Sequence, residues 1–268
     1  MTRPLAYYLD KLDHDGLPRI LRRGASRYWS KIWTPLSRQT AGWIIERLGD
    51  RIRIEGATFA TNSPLIPRFE KGEMVFRGYE FDERRMLKRW LRTDLPLVEL
   101  GGGIGVTACL ANRKLARPHD HVVVEANPFN VSLVERNRDL NGCRFRVIHK
   151  ALAYGAETVA FGIHPRLVGS SRIGGEGTTI EVATTSLEAV AAAAGFDEIS
   201  LICDVEGGEA EVVERELDTL RHRVRVLLVE IHPHIIGEEA ASRIVQTLET
   251  SGFALRDHFG FNWAFTRD

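Results

Sequence analysis

The stretch Val98-Glu-Leu-Gly-Gly-Gly-Ile-Gly-Val106 decides how the rest of the chain is read. A short apolar run (Pro96, Leu97, Val98, Leu100) carries an acid, meets a glycine triplet and turns helical from Ile104 to Lys114. That pattern describes a buried strand delivering a tight turn whose backbone comes close to a ligand. Gly101, Gly103 and Gly105 remove the Cβ atoms that would obstruct it. The nicotinamide fingerprint requires a third glycine three places after the second, and Val106 stands there instead. An acid at the strand end, Glu99, followed by G-x-G-x-G therefore points to a nucleotide other than a nicotinamide one.

Outward from this turn, apolar runs alternate with amphipathic segments. Strands are expected near 97–100, 121–125, 144–149, 199–203 and 225–231, and helices near 104–115, 129–140, 185–194, 207–220 and 238–251. Residues 157–163 and 178–186 read as two extra strands joined by a glycine- and serine-rich loop at 169–177. The end of the chain, GFALRDHFGFNWAFTRD, reads as an antiparallel pair turning near Gly260. The spacing predicts an α/β fold: a mostly parallel sheet with helices on both faces and a C-terminal antiparallel hairpin. Upstream, residues 1–50 read as a basic helical extension, and 51–268 as one domain with its cofactor-binding core over about 75–268. Within 51–95 the expectation is one short strand at 51–60, a loop with Pro64 and Pro67, and a helix from about 82 to 92.

Composition narrows the function classes. A chain of 268 residues can bury a large core, and its 36 basic residues balance 36 acidic ones, so no nucleic-acid partner is expected. Cys109, Cys143 and Cys203 lack C-x-x-C spacing, which suits a reducing, cytoplasmic setting. No apolar run approaches the roughly 20 residues of a membrane span, and the first sixteen residues are too broken by charge for a signal peptide. From 17 to 33, Leu17, Ile20, Leu21, Tyr28 and Ile32 fall on one helical face, with Arg19, Arg22, Arg23 and Arg27 largely on the other. Such a helix can make a peripheral contact with an anionic membrane. The plainer reading, which we prefer, buries the stripe against the core or in a homo-oligomer.

Three further clusters carry chemistry. The strand His121-Val-Val-Val-Glu125 ends in an acid 20 residues beyond Gly105, where a carboxylate can accept hydrogen bonds from both ribose hydroxyls of a nucleoside. Ser200-Leu-Ile-Cys-Asp-Val-Glu-Gly-Gly-Glu209 emits Asp204 and Glu206 from a strand end. Glu209 and Glu211 read more plainly as first-turn acids favoured by the helix dipole. Glu230 and His232, two apart on the next strand, point to the same side. With Asp204 they can form a general base pair or, less favoured, a divalent-metal site.

In order, E-L-G-G-G-I-G, V-E-A-N-P, N-R-D-L-N-G (Asn137 to Gly142), D-V-E-G-G-E and V-E-I-H-P resemble the FkbM family of methyltransferases. The upstream Gly78-Tyr79-Glu80 does so too, and the resemblance covers roughly residues 75–235. It implies a class I methyltransferase fold and S-adenosyl-L-methionine as cofactor. It further implies O-methyl transfer to a hydroxyl of a sugar, glycan or natural product. Cofactor contacts are implied at Tyr79, Glu80, Glu99, Gly101, Gly103, Gly105, Glu125 and Ala126, and a catalytic neighbourhood at Asp204, Glu206, Glu230 and His232. The chain departs from the family at Ile202, where a lysine is usual, and at Glu99 and Gly102-Gly103, where aspartate and alanine-asparagine are commoner. The lysine's absence keeps a catalytically weakened cofactor-binding scaffold in view as an alternative; a nicotinamide-dependent oxidoreductase stands further off, because Val106 replaces its third glycine and a hundred residues precede the turn.

Overall fold

A computed structural model describes residues 36–163 and 178–268. The amphipathic stripe at 17–33 and the loop at 164–177 lie outside the described residues. A helix, α1, occupies residues 36–47. Residues 51–60 form a hairpin rather than the single strand expected, with β1 (Arg51–Ile54) pairing antiparallel with β2 (Ala57–Ala60). The cause is the Glu55-Gly56 turn, where both residues are left-handed (φ 50° and 80°), as a two-residue hairpin loop demands. A short helix α2 (Arg68–Glu73) continues as a π-turn to Gly78, and α3 (Phe81–Trp90) follows.

The core then builds in alternation: β3 (Leu97–Leu100), α4 (Val106–Asn112), β4 (His121–Glu125), α5 (Pro128–Leu140) and β5 (Arg146–His149). A short β6 (Ala151–Leu152), β7 (Thr158–Ile163) and β8 (Thr178–Thr185) form a separate three-stranded sheet. Next come α6 (Leu187–Ala194), β9 (Ile199–Cys203), α7 (Glu209–Arg215), α8 (Leu217–Arg223) and β10 (Val224–Glu230). The chain closes with α9 (Pro233–Ile236), α10 (Glu238–Thr250), β11 (Ala254–Phe259) and β12 (Asn262–Thr266). The helix expected over 207–220 is two, divided at Glu216. That side chain is buried and accepts the first backbone amides of α6, from Leu187 and Glu188, along with the Tyr154 hydroxyl.

The seven-stranded sheet runs β11-β12-β10-β9-β3-β4-β5. Strands β5, β4, β3, β9 and β10 are parallel, and β12 inserts antiparallel beside β10. Strand order reverses between β3 and β9, so the carboxyl ends there open a crevice, the usual place for a ligand in such sheets. Both faces are sealed. Leu97, Val123, Ile202 and Leu228 pack with Met86, Leu87 and Val134 on one side. Val98, Leu100, Val124 and Leu201 pack with Leu187, Ile244 and Leu248 on the other. Burial on two faces explains why these strands read as near-continuous apolar runs.

Candidate active site

At the switch point the backbones of three strands nearly touch. The Gly101 amide donates to the Val124 carbonyl (2.9 Å), and the Asp204 amide donates to the Leu100 carbonyl (2.9 Å). A Cβ on Gly101, whose φ is +90°, would sit 1.7 Å from the Asp204 carbonyl oxygen. No other residue fits there. The turn is then held from β4. Glu125, at the strand tip and buried, accepts the amides of Gly102 (2.9 Å), Gly103 (3.0 Å) and Asn127 (2.7 Å). Burial pushes its carboxyl pKa up, against the pull of those donors.

Tyr79 and Glu80 lie over the same turn. A Cβ on Gly103 would fall 3.3 Å from Glu80 Oε1 and 3.5 Å from the Tyr79 hydroxyl. Glu80 is left-handed (φ 53°), an uncommon conformation for a residue with a side chain. It accepts the Thr107 amide (3.0 Å) and hydroxyl (2.6 Å), and burial lifts its pKa to about 7.

Across the crevice, the ends of β9 and β10 gather a second group. His232 is 4 % exposed, and its Nδ1 lies 2.8 Å from Oε1 of Glu209, which is fully buried. Its Nε2 faces Asp204 Oδ1, Glu206 Oε2 and Glu230 Oε1, each at 3.7 Å. Burial works against a proton on this ring; the Glu209 bond and the charges of Glu209, Asp204 and Glu206 outweigh it and carry the pKa up to about 9. Asp204 is pushed well above the carboxylate range by loss of solvent and then by the charges of Glu230 and Glu206. Glu83, on α3, shares a hydrogen bond with Glu230 and is raised by desolvation, then by Glu80, Asp204 and Glu230. Glu206, like Glu80, is left-handed (φ 47°), and strain of that kind gathers where surroundings over-determine a side chain's position.

Both groups open into one cavity of about 720 Å³, a size suited to a cofactor and part of an acceptor. Phe81, Val205 and Phe161 give it apolar walls. Nine lining side chains are carboxylic acids, whereas among the described residues Lys150 is the one basic group in the lining. Of the expected cofactor residues, Tyr79, Glu80, Gly101, Gly103, Glu125 and Ala126 line the cavity. Glu99 and Gly105 do not. Glu99 sits inside the sheet, 1 % exposed, with its carboxylate 3.7 Å from His121 Nε2. The two-residue period of β3 turns it toward the apolar face it shares with Leu97, where burial raises its pKa. Gly105 (φ +82°) instead starts α4, and a Cβ there would meet Val134 Cα of α5 at 3.3 Å, so its smallness serves helix packing.

Asp204, Glu206 and Glu230 line the cavity, and His232 stands directly behind them. Sequence reasoning missed three residues. Glu209 reads as a helix-dipole acid, although its placement in D-V-E-G-G-E before a buried helix face could have marked it. Glu83 lies three and four places before Met86 and Leu87, so it shares their buried helical face. Asn130 is 5 % exposed, lines the cavity, and has a side-chain carbonyl oxygen without a partner among the described residues. Ile202, at the family's usual lysine position, is buried and pairs in register with Glu99 and Leu228.

The sequence matches the methyltransferase FkbM domain over residues 100–255, more than half the chain. A comparison with curated protein sequences finds no match. Among solved structures, the precorrin-6y C5,15-methyltransferase of Geobacter metallireducens GS-15 is 12 % identical, with 78 % of this chain and 94 % of that one covered and a TM-score of 0.45. A human methyltransferase 10 domain containing protein is 11 % identical, with 88 % and 96 % covered and a TM-score of 0.45. A ribosomal protein L11 methylase from Lactobacillus delbrueckii subsp. bulgaricus is 12 % identical, with 69 % and 77 % covered and a TM-score of 0.39. From the domain match, the chain belongs to the FkbM methyltransferase family.

Proposed function

We propose that this methyltransferase transfers the methyl group of S-adenosylmethionine to a hydroxyl of a sugar, glycan or natural-product acceptor, with Asp204 receiving the hydroxyl proton. The observation that carries the reading is a single cavity with a glycine turn and Glu125 at one end and Asp204, Glu206 and Glu230 at the other. The residues suit the cofactor. The turn presents no Cβ at Gly101 or Gly103. Glu125 has acceptor capacity left for ribose hydroxyls, and the unpartnered Asn130 oxygen can accept from an adenine amine. The carboxylates beyond favour a cation. When bound, S-adenosylmethionine supplies a methyl group already activated on positively charged sulfur.

The chain's own residues then have modest tasks. The cavity walls align the acceptor oxygen and exclude water. Asp204 takes the hydroxyl proton as the oxygen–carbon bond forms and the carbon–sulfur bond breaks. A desolvated carboxylate with a raised pKa is the stronger base, and a cation beside it favours its ionised form. His232, held through Nδ1 by the buried Glu209, stands behind the acids as the positioning partner of Asp204. So many carboxylates also disfavour anionic acceptors, and a neutral hydroxyl compound fits the charge.

The test is incubation with methyl-labelled S-adenosylmethionine and a panel of neutral sugars, glycans and hydroxylated natural products. An alkali-stable methyl ether is expected. Label in an ester or on nitrogen would overturn the hydroxyl assignment. The scaffold alternative, kept by Ile202, expects S-adenosylhomocysteine binding with no transfer to any acceptor.

A further inference from the structure

We propose that Asp204, Glu230 and His232 hold a divalent transition-metal cation of the manganese type at the acidic end of the cavity. One ligand atom from each of these residues lies within 4.8 Å of the other two. Acids alone would not make a site, but His232 is not an acid and is not free to turn. Its Nδ1 is committed to the fully buried Glu209, which leaves Nε2 aimed at the carboxylates without a hydrogen bond among the described residues. At 3.7 Å from each of three oxygens, Nε2 is beyond hydrogen-bonding range of them all. Facing it, Asp204 Oδ1 is buried and, among the described residues, has no hydrogen-bond partner.

An ion roughly 2.1 Å from a nitrogen and an oxygen separates them by about 3–3.7 Å, depending on the angle. The 3.7 Å from Nε2 to Asp204 and Glu230 falls at the upper end of that range, so a small inward turn of the carboxylates would close the three ligands on an ion. A carboxylate behind the imidazole, here Glu209, is the usual device for fixing a ligating histidine's orientation and tautomer. One imidazole with two carboxylates suits manganese, iron or zinc better than magnesium or calcium, which prefer oxygen throughout. An ion there would offset the negative charge gathered by Asp204, Glu206 and Glu230 around the ring. Because Asp204 and Glu230 line the cavity, the ion faces the space assigned to the acceptor. Its role in orienting a hydroxyl there rests on the methyl-transfer reading; the site itself does not.

The test uses full-length protein stripped with chelator and titrated with manganese(II) chloride, with bound ion read by calorimetry and by loss of the free-ion electron paramagnetic resonance signal. One saturable site per chain is expected. Glu230→Gln and Asp204→Asn should each weaken it at least about tenfold, and Glu209→Gln by about 10–100-fold through the ring orientation. Circular dichroism and S-adenosylhomocysteine titration check that each variant is folded. Absence of saturable binding to wild type, or equal binding by folded Glu230→Gln, would overturn the proposal. Failure of the cofactor reading shows separately, as wild type that does not bind S-adenosylhomocysteine whatever manganese does.

Discussion

At the glycine-turn end of the cavity Glu125 accepts three backbone amides and Glu80 two donors from Thr107. At the other end Asp204, Glu206 and Glu230 face His232 Nε2 at 3.7 Å without a hydrogen bond to it. The first arrangement is satisfied before any ligand arrives, whereas the second is crowded with like charge. A pre-satisfied turn can bind a nucleotide without reorganising. Crowded acids raise one another's pKa and hold the free protein below its stability optimum, a common condition of residues kept for chemistry.

The contrast can be broken most forcefully at Asp204. Asp204→Asn should lower turnover about 10²–10⁴-fold, the usual worth of a positioned base. It should change S-adenosylhomocysteine affinity less than about threefold and leave the melting temperature equal or higher, since a desolvated acid becomes a neutral amide. Glu125→Ala should do the reverse. Stranding the amides of Gly102, Gly103 and Asn127 destabilises by about 2–4 kcal/mol, and S-adenosylhomocysteine binding should fall at least about tenfold by calorimetry.

A smaller effect belongs to Glu80. Its folded pKa of about 7 lies above the ordinary 4.5, so folding favours the protonated acid. That contribution is complete below pH 4.5 and is lost as the pH rises through about 7. The wild-type melting temperature relative to Glu80→Gln should therefore fall by a few degrees across that range. The smallest effect is at Gly105→Ala, about 1–2 kcal/mol for a left-handed backbone. Because Gly105 stands outside the cavity lining, S-adenosylhomocysteine affinity should stay within about a factor of two.

Much of this was legible in the sequence because strand ends and glycine turns are written locally. Strands β3, β4 and β9 fall at their expected residues, and Glu125 and Asp204 stand at strand tips as their position after apolar runs implies. What local spacing does not encode is direction and depth. Glu99 shares a motif with Gly101, yet strand alternation turns it into the core. Gly105 belongs to the same triplet but serves a helix contact with Val134. Glu209 carries the same first-turn pattern as Glu211, and its pairing with His232 depends on β10, 23 residues away. The break at Glu216 likewise answers to α6 rather than to its own neighbours.

The most direct measurement is a crystal structure of the protein with S-adenosylhomocysteine bound. Ribose hydroxyls within hydrogen-bonding distance of Glu125, and sulfur on the side of Asp204, Glu206 and Glu230, are the expected result. A ligand bound elsewhere, or an empty cavity at saturating concentration with Glu125 holding only its three amides, would contradict it.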